Sequence, residues 1–223
     1  MKVYHGSTHL IKFPEYGKGK SYNDYGSGFY CTEELSMAKE WAVGRTNSGY
    51  ANCYELNEQG LTVLNLNTTE YCILNWLAIL LENRTFDVPS ALAAEAKQYI
   101  MEHFLPEYKT YDLIKGYRAD DSYFSFTQDF INGTISYRQL NRAMYPGRLG
   151  QQVVLKSKRA FDHIRFERYE LADYEEWFVK KEMRDKAARR EYFDKERNKR
   201  QRGDIYITQI LDEEMMADDL RLR

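Results

Sequence analysis

The chain has 223 residues with 43% hydrophobic and 15% aromatic content, enough for one large domain or a domain with an appendage. A formal net charge of −2 excludes a nucleic-acid binder driven by whole-chain charge and leaves only a local patch open. Three cysteines, at positions 31, 53 and 72, lack Cys-x-x-Cys spacing, which argues against a disulfide framework or zinc knuckle and for reduced thiols.

In chain order, residues 1–5 read as a short strand, 11–27 as a polar glycine-rich loop and 29–32 as a second strand. Ser36 is placed to cap a helix that carries Met37, Ala38, Trp41 and Ala42 and stops at Gly44. Residues 50–56 and 61–66 read as two strands joined across 57–60. Apolar residues at three-and-four spacing predict helices over 70–83 and 90–104, with Pro89 suited to the first turn of the second. A strand over 111–117 follows, then a helix over 122–131 capped by Asp120 or Asp121 and ended by Gly133. Ser136 caps a helix over 137–145, residues 151–156 form a strand, Ser157 caps a helix reaching 164, and 165–169 form a last strand.

The character changes near the C-terminus. Residues 180–202 hold 11 Lys or Arg against 5 Asp or Glu. The pairs Glu182/Lys186, Asp185/Arg189, Glu191/Lys195 and Glu196/Arg200 put acid before base at i,i+4, which supports a solvated helix broken at Gly203. Residues 204–223 carry Ile205, Ile207, Ile210, Leu211, Met215 and Met216, the makings of a small amphipathic helix that docks on the body or on a partner. The domain expectation is therefore a body over 1–170 and a charged helical extension over 171–223. The longest apolar run, 73–81, is broken by Asn75 and is too short for a bilayer, and the opening residues lack an apolar signal core. Both point to a cytoplasmic protein without membrane contact.

Two short patterns stand out in the first forty-one residues. Tyr4-His5-Gly6-Ser7 lies on the opening strand. Gly26-Ser27-Gly28-Phe29-Tyr30-Cys31-Thr32 then runs into the helix with Ser36, Ala38 and Trp41. Together they resemble the NAD-gripping half of the ADP-ribosyltransferase superfamily, its poly-ADP-ribose polymerase-like branch most of all. That resemblance implies an α+β fold with a split antiparallel sheet, a helical insertion and the helical C-terminal extension. It implies NAD as co-substrate; no metal site is expected, because His5 and His9 are four apart but Gly6 and the strand-like start argue against the helix that would bring them together. His5 would hold a ribose hydroxyl, Gly6 and Ser7 would meet the carboxamide, and Tyr30 and Trp41 would sandwich the nicotinamide, where flat rings attract a cationic ring.

The family often places a carboxamide-binding Ser where this chain has Ala38, so part of the amide clamp is either missing or supplied elsewhere, with Ser36 as the candidate. Its late-strand Glu, which steadies positive charge on the departing sugar, is here Gln152. Gln152 accepts a ribose hydrogen bond but carries no charge. Three readings stay open: a slower enzyme, an auxiliary acid at Asp120 or Asp121, or a site that binds NAD without turnover. A replaced Glu goes with single transfers rather than chain formation in that family.

Over most of its length the chain also resembles a bacterial family called domain of unknown function 3990. The shared features are the opening Tyr-His-Gly-Ser, the Gly-Phe-Tyr-x-Thr strand, Trp41-Ala42, Ala119-Asp120-Asp121 and the Gln152-led strand before Arg159-Ala160. This resemblance implies the toxin of a toxin–antitoxin pair, with a small antitoxin protein as partner and a macromolecular acceptor, protein or nucleic acid. Plainer readings stand beside these. Asp120-Asp121 is an ordinary helix cap, Tyr30 and Trp41 alone would be core rings, and Cys31 is a small buried thiol.

Overall fold

The computed structural model describes residues 1–119, 121–144 and 151–222. Asp120 and the side chain of Asp121 lie outside the described residues, as do the last residue of the predicted 137–145 helix and the side chains of Lys195 and Glu196. The chain opens with strand β1 (Lys2–Ser7), followed by β2 (Phe29–Thr32), helix α1 (Leu35–Ala42), β3 (Gly49–Leu56) and β4 (Val63–Asn65). Helices α2 (Ile73–Asn83) and α3 (Ala91–Phe104) lead to β5 (Leu113–Gly116), α4 (Asp121–Ile131) and α5 (Tyr137–Met144). Strand β6 (Gln152–Leu155), the short α6 (Lys158–Asp162), β7 (Ile164–Ala172), α7 (Tyr174–Glu191) and α8 (Ile207–Asp212) complete the chain.

The architecture is α+β. Seven strands form one sheet in the order β4-β5-β6-β2-β1-β3-β7. Every registered pair is antiparallel except β4–β5, which is parallel, so the sheet is mixed rather than wholly antiparallel. Strands β3 and β4 are not a hairpin: β3 pairs with β1 and β7, and β4 lies at the far edge beside β5. The Asp112 carboxylate fixes β4 there. It accepts from the Thr62 N–H at 2.8 Å and from the Thr62 hydroxyl at 3.1 Å, a long-range tie that local patterning does not reveal.

The middle of the sheet is its weakest joint. Strands β1 and β2 share a single register pair, Tyr4 with Thr32, whereas β1 and β3 share six. Past Tyr4, β1 keeps β3 on one side and parts from β2 on the other.

Alternating side chains feed two cores. Ile114 and Val154 join a large cluster with Trp76, Leu77, Phe104 and Phe130, while Leu113, Val153 and Leu155 face a smaller one with Val3, Tyr54 and Leu56. Helix α2 is apolar on every side and buried from Ile73 to Leu81, as such a helix must be. It begins three residues later than its periodicity predicts, because the Asn75 side chain accepts the Cys72 N–H at 2.8 Å and so closes the first turn there. Ser157 caps α6 as expected, accepting from Ala160 at 3.1 Å, and Ser90, expected inside the helix, instead caps α3, accepting from Ala93 at 3.1 Å. Ser36 does not cap α1. Glu34 is the N-cap residue, and the preceding turn is held instead by the Thr32 hydroxyl, which accepts the Glu34 N–H at 3.2 Å.

The C-terminal segment is built into the large core. Tyr192, Ile207, Ile210, Met215 and Leu222 are buried in the same cluster as Trp76. Asp204 receives two hydrogen bonds from Arg138, Nε at 2.6 Å and a terminal nitrogen at 3.0 Å, which also holds its carboxyl below the usual range. Helix α7 buries no residue, and of the predicted charge pairs Glu182–Lys186 forms at 3.2 Å, while Asp185 sits 3.0 Å from Arg184. Ile210→Ala should therefore cost about 2–5 kcal/mol of stability, the range for truncating a fully buried aliphatic residue, measured by urea denaturation. A loss under about 1 kcal/mol would mean that the tail is not part of the core.

Candidate functional site

The parting of β1 and β2 opens the site. In a continued ladder Gly6 would face Tyr30. Instead the His5 imidazole bridges the strands, with Nδ1 2.7 Å from the Tyr30 carbonyl oxygen. A carbonyl only accepts, so Nδ1 carries the proton and Nε2 of the neutral ring is an acceptor. The Phe29 ring stacks on the imidazole at 4.3 Å and 28°. Burial pushes the His5 pKa below 6.5, against the smaller opposing pull of the Tyr30 carbonyl, so the ring is neutral at pH 7.

Tyr30 holds the loop before it. Its hydroxyl donates to the Gly26 carbonyl at 2.6 Å and accepts the Tyr25 N–H at 3.0 Å. Gly26 takes a positive φ of 72° to make this turn, and a Cβ there would lie 2.6 Å from Asn83 Oδ1. Burial pushes the Tyr30 hydroxyl pKa well up, so it stays a donor at any working pH. Lys156 clamps the same loop from the other side, donating to the Ser27 carbonyl at 2.6 Å and to that of Tyr25 at 2.5 Å. Desolvation, with Lys109 adding to it, lowers the Lys156 pKa to about 8.

Gly6 has a packing role. A Cβ there would lie 2.0 Å from the Ala38 carbonyl oxygen and 2.7 Å from Trp41 Cβ, so only glycine lets α1 lie this close to β1. That approach brings Trp41 to the cleft, with the Arg118 guanidinium carbon 4.9 Å from the ring centroid. Trp41 Nε1 is buried and has no hydrogen-bond partner among the described residues. Ala38 is fully buried. Ser36 is exposed and does not line the cleft, because two positions on a helix turn a side chain by about 200° away from Ala38.

Gln152 begins β6, opposite Thr32 of β2 and Gly116 of β5. It is 6% exposed, and its Oε1 is buried with no partner among the described residues. A buried carbonyl oxygen left unpaired costs about 1–3 kcal/mol, so this oxygen calls for a partner beyond the described residues.

His5, Gly6, Ser7, Tyr30, Trp41 and Gln152 all line one cleft of about 850 Å³. The structure does not bring Ser36 to it, and its relation to Asp120 and the Asp121 side chain lies outside the described residues, although Ala119 is in the wall. Three wall residues carry no sequence signal that would have found them. Asp24 is 5% exposed, accepts the Ala119 N–H at 3.0 Å and lies 3.6 Å from Arg84. Arg84 and Arg118 come from helix and strand ends far away in the chain. Among the described residues no three His, Cys, Asp or Glu side chains gather as a metal site would need, and no helix is long and apolar enough to cross a membrane. Cys31, Cys53 and Cys72 are free and buried.

These features define an α+β protein with a cleft of mixed polar and apolar lining at a parted strand pair. Residues 1–166 match the model of the family described as protein of unknown function (DUF3990), and the chain belongs to that family. No curated protein and no solved structure matches it.

Tyr30→Phe should cost about 1–3 kcal/mol, the cost of leaving the Tyr25 N–H and Gly26 carbonyl without their partner, and should speed proteolytic cleavage within residues 20–28. Thermal unfolding and limited proteolysis read the two effects. His5 gives a pH prediction. Its folded pKa lies below the unfolded 6.5, so its contribution is intact above that pH and is lost as pH falls through the folded value. An NMR titration should place the His5 ring below 6.5 in the Nδ1–H tautomer, and a midpoint at or above 6.5 would contradict the geometry.

Proposed function

We propose that the protein is a mono-ADP-ribosyltransferase that moves ADP-ribose from NAD to a macromolecular acceptor, as the toxin of a bacterial toxin–antitoxin pair, on a sheet of the ADP-ribosyltransferase type. One observation carries this reading: His5, Tyr30, Trp41 and Gln152, drawn from four separate elements, line a single cleft. Two of them present buried polar atoms without partners among the described residues, Trp41 Nε1 and Gln152 Oε1, which fits a polar ligand that completes them.

NAD supplies the ADP-ribosyl group, its ribose–nicotinamide bond breaking with the electron pair going to the nicotinamide nitrogen. The neutral His5 ring accepts from a ribose hydroxyl. Tyr30 and Trp41 flank the nicotinamide. Gly6 and Ser7 meet its carboxamide from the side of β1 that has parted from β2. Gln152 Oε1 accepts from a hydroxyl of the nicotinamide ribose and orients the sugar. The acceptor nucleophile forms its bond to the sugar carbon that the nicotinamide has left and releases its proton to solvent.

A second reading rests on the uncharged Gln152: an inactive module of the same fold that binds NAD or a partner and does not turn NAD over. Incubation of the purified chain with NAD separates the two. The transferase releases nicotinamide and labels a macromolecule from a bacterial extract, whereas the module gains thermal stability from NAD and releases nothing. If the transferase reading holds, Gln152→Ala lowers nicotinamide release about a hundredfold, on the scale of losing one preorganised polar group, while Gln152→Glu raises it. Equal rates in all three proteins would remove Gln152 from the site.

A further inference from the structure

The loop between β1 and β2 is fastened at both ends and exposes several side chains between them. At its start, the buried Asn52 side chain accepts the Ile11 N–H at 3.0 Å, and the Tyr54 hydroxyl donates to the Ile11 carbonyl at 2.6 Å. At its end, Tyr30 and Lys156 hold residues 25–27. The stretch in between presents rings to solvent: Phe13 is 85% exposed, Tyr16 58% and Tyr22 61%. Exposed Lys12, Lys18 and Lys20 lie among them, against one exposed acid, Glu15, while the loop's other acid, Asp24, is buried beside Arg84. Among the described residues Lys12 and Lys20 form no ion pair, and Lys18 has only a solvent-exposed contact of 3.8 Å with Glu15.

The loop also borders the cleft, since Phe13, Lys18 and Lys20 belong to its wall. Tyr16 leans edge-on against Phe161 at 5.7 Å, which in turn lies 6.1 Å from the Phe29 ring that stacks on His5. Tyr22 borders a second hollow with Arg84 and Phe124, and Arg84 lines both hollows.

Exposed rings are costly in water unless something covers them, and a protein partner would cover them with apolar surface. Lysines set between rings fit a different occupant: phosphates on the amines and bases on the rings. We infer that the β1–β2 loop holds a single-stranded polynucleotide across the mouth of the cleft, and that the acceptor is therefore a nucleic acid. The inference rests on the transferase reading for the word acceptor, and on the loop alone for the strand. The other cationic surface is less suited. In α7 the Lys180 amine sits on Glu176, Lys186 on Glu182 and Arg184 on Glu40, so those charges are compensated within the protein.

The test uses the full chain and fluorescent twelve-nucleotide single strands of mixed sequence, one DNA and one RNA, read by anisotropy without NAD. Binding to either should weaken steeply with salt. Lys12→Glu with Lys20→Glu should lower the affinity and reduce the salt slope by about 0.7 for each phosphate that is no longer neutralised. Tyr16→Ala and Tyr22→Ala should each weaken binding by about fivefold to a hundredfold and leave the salt slope unchanged, because a ring stacks without neutralising charge. These side chains are exposed, and unchanged thermal unfolding confirms that the variants fold. The arm that binds more tightly identifies DNA or RNA. Failure of both strands to bind, or equal binding of inorganic polyphosphate with no response to ring removal, overturns the inference. Nicotinamide release is assayed separately. An enzyme that releases nicotinamide but binds no strand loses only the acceptor class, whereas ring-dependent strand binding without release keeps the strand surface and removes the transferase reading.

Discussion

The separation of β1 from β2 after one shared rung is the constraint on which the site depends. A sheet that continued to pair would place Gly6 against Tyr30 and close the gap with backbone hydrogen bonds. Here an imidazole takes the place of the next rung, binding the Tyr30 carbonyl through Nδ1. The substitution keeps that carbonyl satisfied while holding the strands a side chain apart. It also fixes the tautomer, so Nε2 is the nitrogen left able to accept. One hydrogen bond thus opens the cleft and sets the chemistry of the ring that lines it.

Gly6 shows how a motif residue can answer two demands. The resemblance assigns it to a ligand's carboxamide, where a side chain would block approach. The packing demands it independently, because α1 lies so close that a Cβ would overlap the Ala38 carbonyl. The close approach in turn delivers Trp41 to the cleft. A substitution at Gly6 would therefore displace the helix and its tryptophan together, and loss of function there would not by itself reveal a ligand contact. Gln152 is the cleaner probe, since its buried Oε1 has no protein partner to lose among the described residues.

Local signals in the sequence are enough for much of the fold. Ser157 announces its helix because a cap is a contact between residues three apart, and Gly133 follows the end of its helix with a positive φ, whereas the charged helix α7 stops at Glu191, well short of the expected break at Gly203. The start of α1 is harder to read because Thr32, still in the strand, satisfies the turn from outside the helix. Pairing of β4 with β5 rather than β3 is also illegible, since it depends on Asp112 meeting Thr62 fifty residues away. The tail's burial follows the same logic: its apolar residues are visible in the sequence, but the surface that receives them is made by helices far upstream. In the cleft, the motif residues are named only through the family resemblance, whereas Asp24, Arg84 and Arg118 enter only through tertiary contacts.

The loop ties the cleft to the outer surface. Tyr30 faces the cleft with its ring and spends its hydroxyl on the loop, so the strand that would grip nicotinamide also sets where the exposed rings and lysines begin. Lys156 reinforces that tie with a positive charge placed among carbonyl oxygens, a bond that strengthens because burial strips it of water. A ligand that shifted Tyr30 would move the loop's end, and a strand drawn along the loop would press back on Tyr30. Coupling between two sites needs a shared element with differential contacts to both, and the segment from Tyr25 to Tyr30 is that element. Were a ligand to fill the cleft and a strand the loop, the two would be linked through this segment, with the same free energy of coupling in either direction.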